Sequence, residues 1–253
     1  FDPVAFSLFS LEFRWYSLAY IFGILTGWIL AKRIFIKDDS LKKIFDDYIT
    51  FIILGIIIGG RLGYVIFYNL DYYLVNIVEI FKIWNGGMSF HGGLLGVIVM
   101  SVWFAKKHNH NPYIYLDVVS LVAPIGILFG RIANFINSEL YGKETTLPWG
   151  VRFEKIDEIY RHPSQLYEAF LEGLILFFIL IFFRKSFSAK NPGFISGIFL
   201  IFYSTFRFLI EFLRIPDEQL GYILFNLSMG QILCLIFFTF GSYLTLKKYE
   251  NQK

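Results

Sequence analysis

The sequence predicts an all-α, polytopic membrane protein of seven transmembrane helices with a small extracytoplasmic cap. Three observations predict it. Of 253 residues, 56% are hydrophobic and only 17% charged, whereas soluble domains run nearer 45–50% apolar and about 25% charged. The mean hydropathy is +0.58, and 31 phenylalanines exceed what a soluble core of this size hides. Apolar runs long enough for a bilayer, about 20 residues each, recur along the whole chain without a repeat, linker or low-complexity tract. One membrane domain, 1–253, is the expected organisation.

The spans are read at Phe13–Ile34, Phe45–Tyr68, Phe90–Phe104, Tyr113–Ile136, Ser164–Phe183, Gly193–Leu213 and Leu227–Leu246. The third is short, and the fourth and sixth carry charge. The first lacks a basic leader and a small-residue cleavage site, so it reads as a span rather than a removed signal. Lys32, Arg33, Lys37, Lys42, Lys43, Lys106, Lys107, Arg184, Lys185, Lys190, Lys247, Lys248 and Lys253 all fall on one side of seven spans. Positive loops stay cytoplasmic, which puts the N-terminus outside and the C-terminus in the cytoplasm. The polar stretch 137–163, with Pro148, Trp149 and Gly150, is the expected cap; long loops are often functional.

Several classes drop out. The net charge of +3 and the lack of a basic, aromatic-interleaved stripe give no sign of a nucleic-acid partner. No spacing of His, Cys, Asp and Glu suggests a metal, and no phosphate-binding glycine loop or Ser-His-Asp order is present. No cofactor is expected. Cys234, the one cysteine, has no charged neighbour in sequence and reads as packing. Glycines four apart at Gly55, Gly59 and Gly63, at Gly92 and Gly96, and at Gly126 and Gly130 suit close helix contact in lipid.

Ionisable groups inside a bilayer cost about 2.5–3.5 kcal/mol each and so face partners or cavities. Arg61, Arg131, Arg207, Glu168, Glu172 and Glu211 lie within or near the ends of spans, all toward the outer half in this topology. Tyr203, Arg207 and Glu211 follow at i, i+4 and i+8, one helical stripe, and Arg207 with Glu211 forms either a neutralised pair or an oriented anion ligand. Arg131 and Asn134 share a face. Glu168 and Glu172, four apart, need cations or protons, and one is expected to pair with an arginine. Asp117, near the cytoplasmic end, shares a face with Arg131 but lies about 21 Å away along the helix. His91 starts the third span before Gly92 and Gly93. A helix start is a poor place for an imidazolium, and a neutral imidazole accepts protons. The two glycines would let a substrate approach. His162 is expected to cap the fifth span or to serve the site; His108 and His110 read as solvated.

At Gly130–Gly142 the sequence GRIANFINSELYG resembles the signature G-R-x-[GA]-N-F-x-N-x-E-x-x-G of the prolipoprotein diacylglyceryl transferases. RWYSLAY at Arg14–Tyr20, SFHGGLLG at Ser89–Gly96, RHPSQLYE at Arg161–Glu168, FRFLIEFLRIPD at Phe206–Asp217 and SMGQILC at Ser228–Cys234 resemble further blocks of that family, in the same order. Ser17 stands where glycine is common and Ile215 where glutamate is common.

The resemblance implies a seven-helix enzyme of the bacterial plasma membrane. It implies transfer of the diacylglyceryl group of phosphatidylglycerol to the lipobox cysteine of a preprolipoprotein signal peptide, giving a thioether and glycerol phosphate. The partners implied are therefore that lipid, that peptide and the bilayer, with an active site toward the outer leaflet. The family's important positions fall on Tyr16, His91, Arg131, Asn134, Glu139, Gly142, Tyr203, Arg207, Glu211 and Arg214. The chemistry agrees with these residue types. A thiol needs a base, and His91 is the candidate. A leaving phosphate needs permanent cations, and Arg131 and Arg207 supply them. Asn134 and Tyr16 are donors for headgroup oxygens, while Glu139 and Glu211 are expected to hold the arginines. A transporter would place paired sites near the midplane, and a scaffold would need no such cation cluster. Metal-dependent alcohol phosphotransferases need spaced aspartates that this chain lacks.

Overall fold

The computed structural model describes residues 2–9, 11–185, 191–215, 222–224 and 227–247. Lys190, Lys248 and Lys253 of the charge argument, and Pro216 and Asp217 of the FRFLIEFLRIPD block, lie outside the described residues.

Each predicted span is a helix. A hairpin of β1 (Val4–Leu8) and β2 (Leu11–Arg14) leads into α1 (Trp15–Phe35). Then come α2 (Asp39–Tyr68), the short α3 (Leu70–Val75), α4 (Phe90–Lys107) and α5 (Pro112–Ile136). A second hairpin, β3 (Val151–Arg152) with β4 (Tyr160–Arg161), precedes α6 (Ser164–Arg184) and α7 (Phe194–Ile210). A third, β5 (Tyr222–Leu224) with β6 (Leu227–Ser228), precedes α8 (Met229–Leu246). The three hairpins are an addition to the all-helical expectation. They form where chain outside the helices must satisfy its own backbone groups.

Among the described residues, α1, α2, α5, α6 and α8 are long and apolar enough to cross a membrane. This is a multi-pass membrane protein. α7 is apolar but shorter.

The chain divides into two compact units, residues 34–116 and residues 1–33 with 117–253. In the first, α2 and α4 meet along a glycine seam. A Cβ on Gly63 would stand 2.7 Å from the Cα of Gly92, and one on Gly59 would stand 2.9 Å from the Cα of Gly96. Backbone-to-backbone contact of this kind replaces the hydrophobic drive that lipid removes. Gly92 is therefore occupied by α2, not open to a substrate as the sequence suggested. Asp38 caps α2 and Ser89 caps α4, each through a side-chain oxygen on a first-turn N–H.

Arg61 is buried in the same unit, and its role differs from the expected outer charge cluster. Its guanidinium donates to main-chain carbonyls, among them Ile80 at 2.8 Å and Gly87 at 3.1 Å, and lies over the Tyr73 ring. It binds together the irregular segment that feeds α4.

In the other unit, Gly23 of α1 closes onto Gly126 of α5, where a Cβ would stand 3.1 Å from the Gly126 Cα. Gly130 faces open space, so close packing does not explain it. Asp117 caps the start of α7, accepting from the N–H groups of Gly193 and Ser196 and from the Ser196 hydroxyl. Cys234 is buried.

Candidate functional site

Charged side chains of α5, α6 and α7 converge on Glu168. Its side chain is 0% exposed. Arg131 of α5 presents Nε to Oε2 at 2.9 Å. Arg207 of α7 bonds Oε1, and Arg214, just past the end of α7, reaches the same oxygen at 3.2 Å. Three guanidiniums from separate stretches of chain thus share one carboxylate. Arginine's planar fork permits such sharing at fixed angles.

Two more carboxylates complete the cluster. Glu211 pairs with Arg207 at 2.8 Å, one helical turn apart. The Ser228 hydroxyl donates to its other oxygen at 3.0 Å. Gly230 leaves the room, since a Cβ there would stand 3.0 Å from Glu211 Oε1. Glu172, also 0% exposed, lies 4.0 Å from Arg131. It sits where α6 widens into π-type turns over Ala169–Ile175, a distortion often found at functional sites.

The signature segment after α5 is folded back by its own polar groups. Asn134 and Asn137 donate to the two oxygens of Glu139, at 3.0 and 3.3 Å. Glu139 therefore holds asparagines; the arginines are held by Glu168 and Glu211. Ser138 and Leu140 take positive φ values of 60° and 56°, which only surrounding contacts sustain. Those contacts come from the start of α6. Ser164 donates to the Leu140 carbonyl at 2.9 Å and Gln165 to that of Glu139.

Gly142 then threads between two strands of backbone. Its N–H donates to the His162 carbonyl at 2.9 Å, and Lys143 N–H to Leu213 at 2.8 Å. A Cβ on Gly142 would stand 2.6 Å from the His162 carbonyl oxygen and 2.8 Å from that of Leu213. Gly142 bridges Arg214 across this junction. The turn after α7 is thereby tied to the segment around Gly142 and Lys143, and Arg214 is aimed at Glu168. His162 does not cap α6; its ring meets the Tyr167 hydroxyl at 3.2 Å, which also accepts from Trp149.

The other candidates are placed as follows. Tyr203 lies one turn before Arg207, stacked on Phe199. Tyr16 is exposed near the start of α1, with its hydroxyl 3.4 Å from that of Tyr20. His91 is exposed in the first turn of α4, in the unit 34–116.

Sequence reasoning found the arginines but not the hub. Glu168 looked like one of two carboxylates needing a partner. Ser228 and Gly230 were missed as supports, although Ser-x-x-Gln at Ser228–Gln231 is a legible capping box. Asp157, between β3 and β4, is held below the usual carboxylate range by the hydrogen bonds of Arg161.

Fold and site together define a polytopic helical membrane protein with a buried arginine–glutamate cluster, a class suited to handling an anionic group at a membrane. The profile of the family described as "Prolipoprotein diacylglyceryl transferase" matches residues 3–247. The chain belongs to that family. Relatives named phosphatidylglycerol–prolipoprotein diacylglyceryl transferase are similar throughout. The protein of Nitratidesulfovibrio vulgaris (strain DP4) is 52% identical over 96% of this chain and 93% of its own length. That of Rickettsia felis is 50% identical over 96% and 95%. That of Rickettsia bellii (strain OSU 85-389) is 49% identical over 97% and 95%.

Proposed function

We propose that this chain transfers the diacylglyceryl group of phosphatidylglycerol to the lipobox cysteine thiol of a preprolipoprotein, the first step of lipoprotein maturation. The observation that carries the reading is the meeting of Arg131 and Arg207 on the two oxygens of Glu168. Glu168 holds the two guanidiniums side by side, where an incoming anion can exchange for its oxygens, and both retain some exposure, 19% and 13%. Family membership and the names of the relatives support the same reaction.

In the reaction the thiol sulfur forms a bond to the glycerol carbon. The bond from that carbon to the phosphate ester oxygen breaks, and glycerol phosphate leaves with the electron pair. The thiol proton goes to a base, assigned to His91. Arg131 and Arg207 stabilise the charge growing on the phosphate, which is worth most where water is excluded. Asn134, Glu139 and Tyr16 serve headgroup oxygens, directly or through each other. Glu211, Tyr203 and Arg214 hold the Arg207 side of the clamp, and Gly142 sets its backbone.

The setting proposed is the bacterial inner membrane, with seven spans in a single membrane domain, the N-terminus outside and the C-terminus in the cytoplasm. Residues 137–163 form the extracytoplasmic cap and the site opens toward the outer leaflet. Mass spectrometry of a lipobox peptide incubated with the purified protein and phosphatidylglycerol tests the proposal. A mass gain of one diacylglyceryl group on cysteine is expected, and an unmodified peptide rejects it.

A further inference from the structure

The cluster raises a question of release. Arg131, Arg207 and Arg214 face Glu168, Glu172 and Glu211. Three guanidiniums against three carboxylates sum to zero when all are ionised. Glu168 and Glu211 are committed, the first to three arginines and the second to Arg207 and Ser228. Glu172 is not. Neither of its oxygens accepts a hydrogen bond from the described residues. Its one ion-pair contact there is the long approach to Arg131, at 4.0 Å. It also stands on the widened turn of α6, with Gly173 closing against the backbone of Leu128 in α5. A fully buried carboxylate without donors is costly, and packing alone would favour an apolar residue.

We infer that Glu172 is a positioning residue that competes with bound phosphate for Arg131 and so drives release of glycerol phosphate. The inference rests on the arginine-clamp reading above. The substrate phosphodiester carries one negative charge, while the departing phosphate monoester carries nearly two at neutral pH. A clamp strong enough to draw out the leaving group would hold the product harder than the substrate. A carboxylate poised beside Arg131 offsets that preference. It repels the dianion more than the monoanion, and it offers Arg131 a partner as the product departs.

The test is a titration of glycerol phosphate onto the purified protein in detergent, alongside KM and kcat with phosphatidylglycerol and a lipobox peptide. Glu172→Gln keeps the shape and removes the charge. Its dissociation constant for glycerol phosphate should fall about tenfold or more, as expected for a unit charge at this distance. KM should fall less, and kcat should fall because release slows. A purely structural Glu172 would lower kcat and thermal stability without tightening product binding, and an unchanged dissociation constant overturns the inference. If Glu172→Gln does not fold, Glu172→Asp carries the test. Its carboxylate retreats one methylene from Arg131, and the constant should fall at least about twofold; no change again overturns it. Arg207→Ala separates the two layers. If it leaves glycerol phosphate binding untouched, the clamp itself is wrong. If it weakens binding while neither Glu172 variant tightens it, only the role of Glu172 is lost.

Discussion

Arg131 and Glu168, 37 positions apart in the chain, meet with Nε 2.9 Å from Oε2. That contact joins α5 to α6, and through the other oxygen of Glu168 it joins both to Arg207 of α7 and to Arg214. The carboxylate is fully buried, so the junction is both an electrostatic support and a fixed point for the candidate site.

Removal of the hub should cost more than removal of any peripheral charge. Glu168→Ala leaves the buried Arg214 and the partly buried Arg131 and Arg207 without their shared anion, and breaking a buried pair this way costs about 3–5 kcal/mol. Thermal unfolding in detergent, followed by tryptophan fluorescence, should show a large loss. A variant as stable as the parent would contradict the convergence described here.

The clamp predicts a kinetic signature at two positions. Arg131→Ala and Arg207→Ala should each lower kcat/KM by about 10²–10³-fold, the usual loss for one preorganised donor to developing charge. Lysine at either position should restore little, because it lacks the fork that meets two oxygens. Thioether formation in a reconstituted assay checks this, and near-normal rates in either alanine variant would reject the clamp.

His91 is proposed as base, so His91→Ala should lose activity that rises again with pH as more thiolate forms unaided, given an ordinary thiol pKa of about 8.5. The comparison is a rate–pH profile of variant and parent. Full activity of the variant at neutral pH would move the role to another group.

Gly142 allows no side chain. Gly142→Ala must push back the carbonyls of His162 and Leu213, a strain of about 1–3 kcal/mol. Because the same junction sets Arg214, activity should fall further than stability. Parallel measurement of kcat/KM and melting temperature resolves the two.

The β3–β4 hairpin carries a pH dependence of its own. Asp157 accepts from Arg161 Nε at 3.2 Å and from the N–H of Ile159 at 3.1 Å, and its carboxyl titrates below the ordinary value. A depressed folded pKa means the contribution is complete above the unfolded value of about 3.9. It is lost as pH falls through the lower folded value. Hydrogen-exchange protection in residues 151–161, corrected for the intrinsic rate, should fall below pH of about 4, and Asp157→Asn should weaken that dependence.

How much of this was legible beforehand follows from the period and reach of each signal. Helix positions were readable because hydrocarbon demands long apolar runs, and α5 and α6 begin within one residue of their predicted starts. The Arg207–Glu211 pair was readable because four residues make one turn. Gly92 was misread because a glycine beside a histidine suggests substrate access, while its neighbour in space is Gly63 of α2. Glu139 was misassigned because its partners, Asn134 and Asn137, satisfy it locally before any arginine can.

By itself the sequence determined the membrane class, the helices, the signature and the identity of the charged groups, since all depend on composition and on spacing within one helix. Only the tertiary structure decided that Glu168 is where three arginines meet, that among the described residues Glu172 has one ion-pair contact, the distant one to Arg131, and that Arg61 serves the main chain ahead of α4. The reason is physical. Charge pairing between helices depends on which faces pack together, and that choice is made by contacts that no single stretch of chain contains.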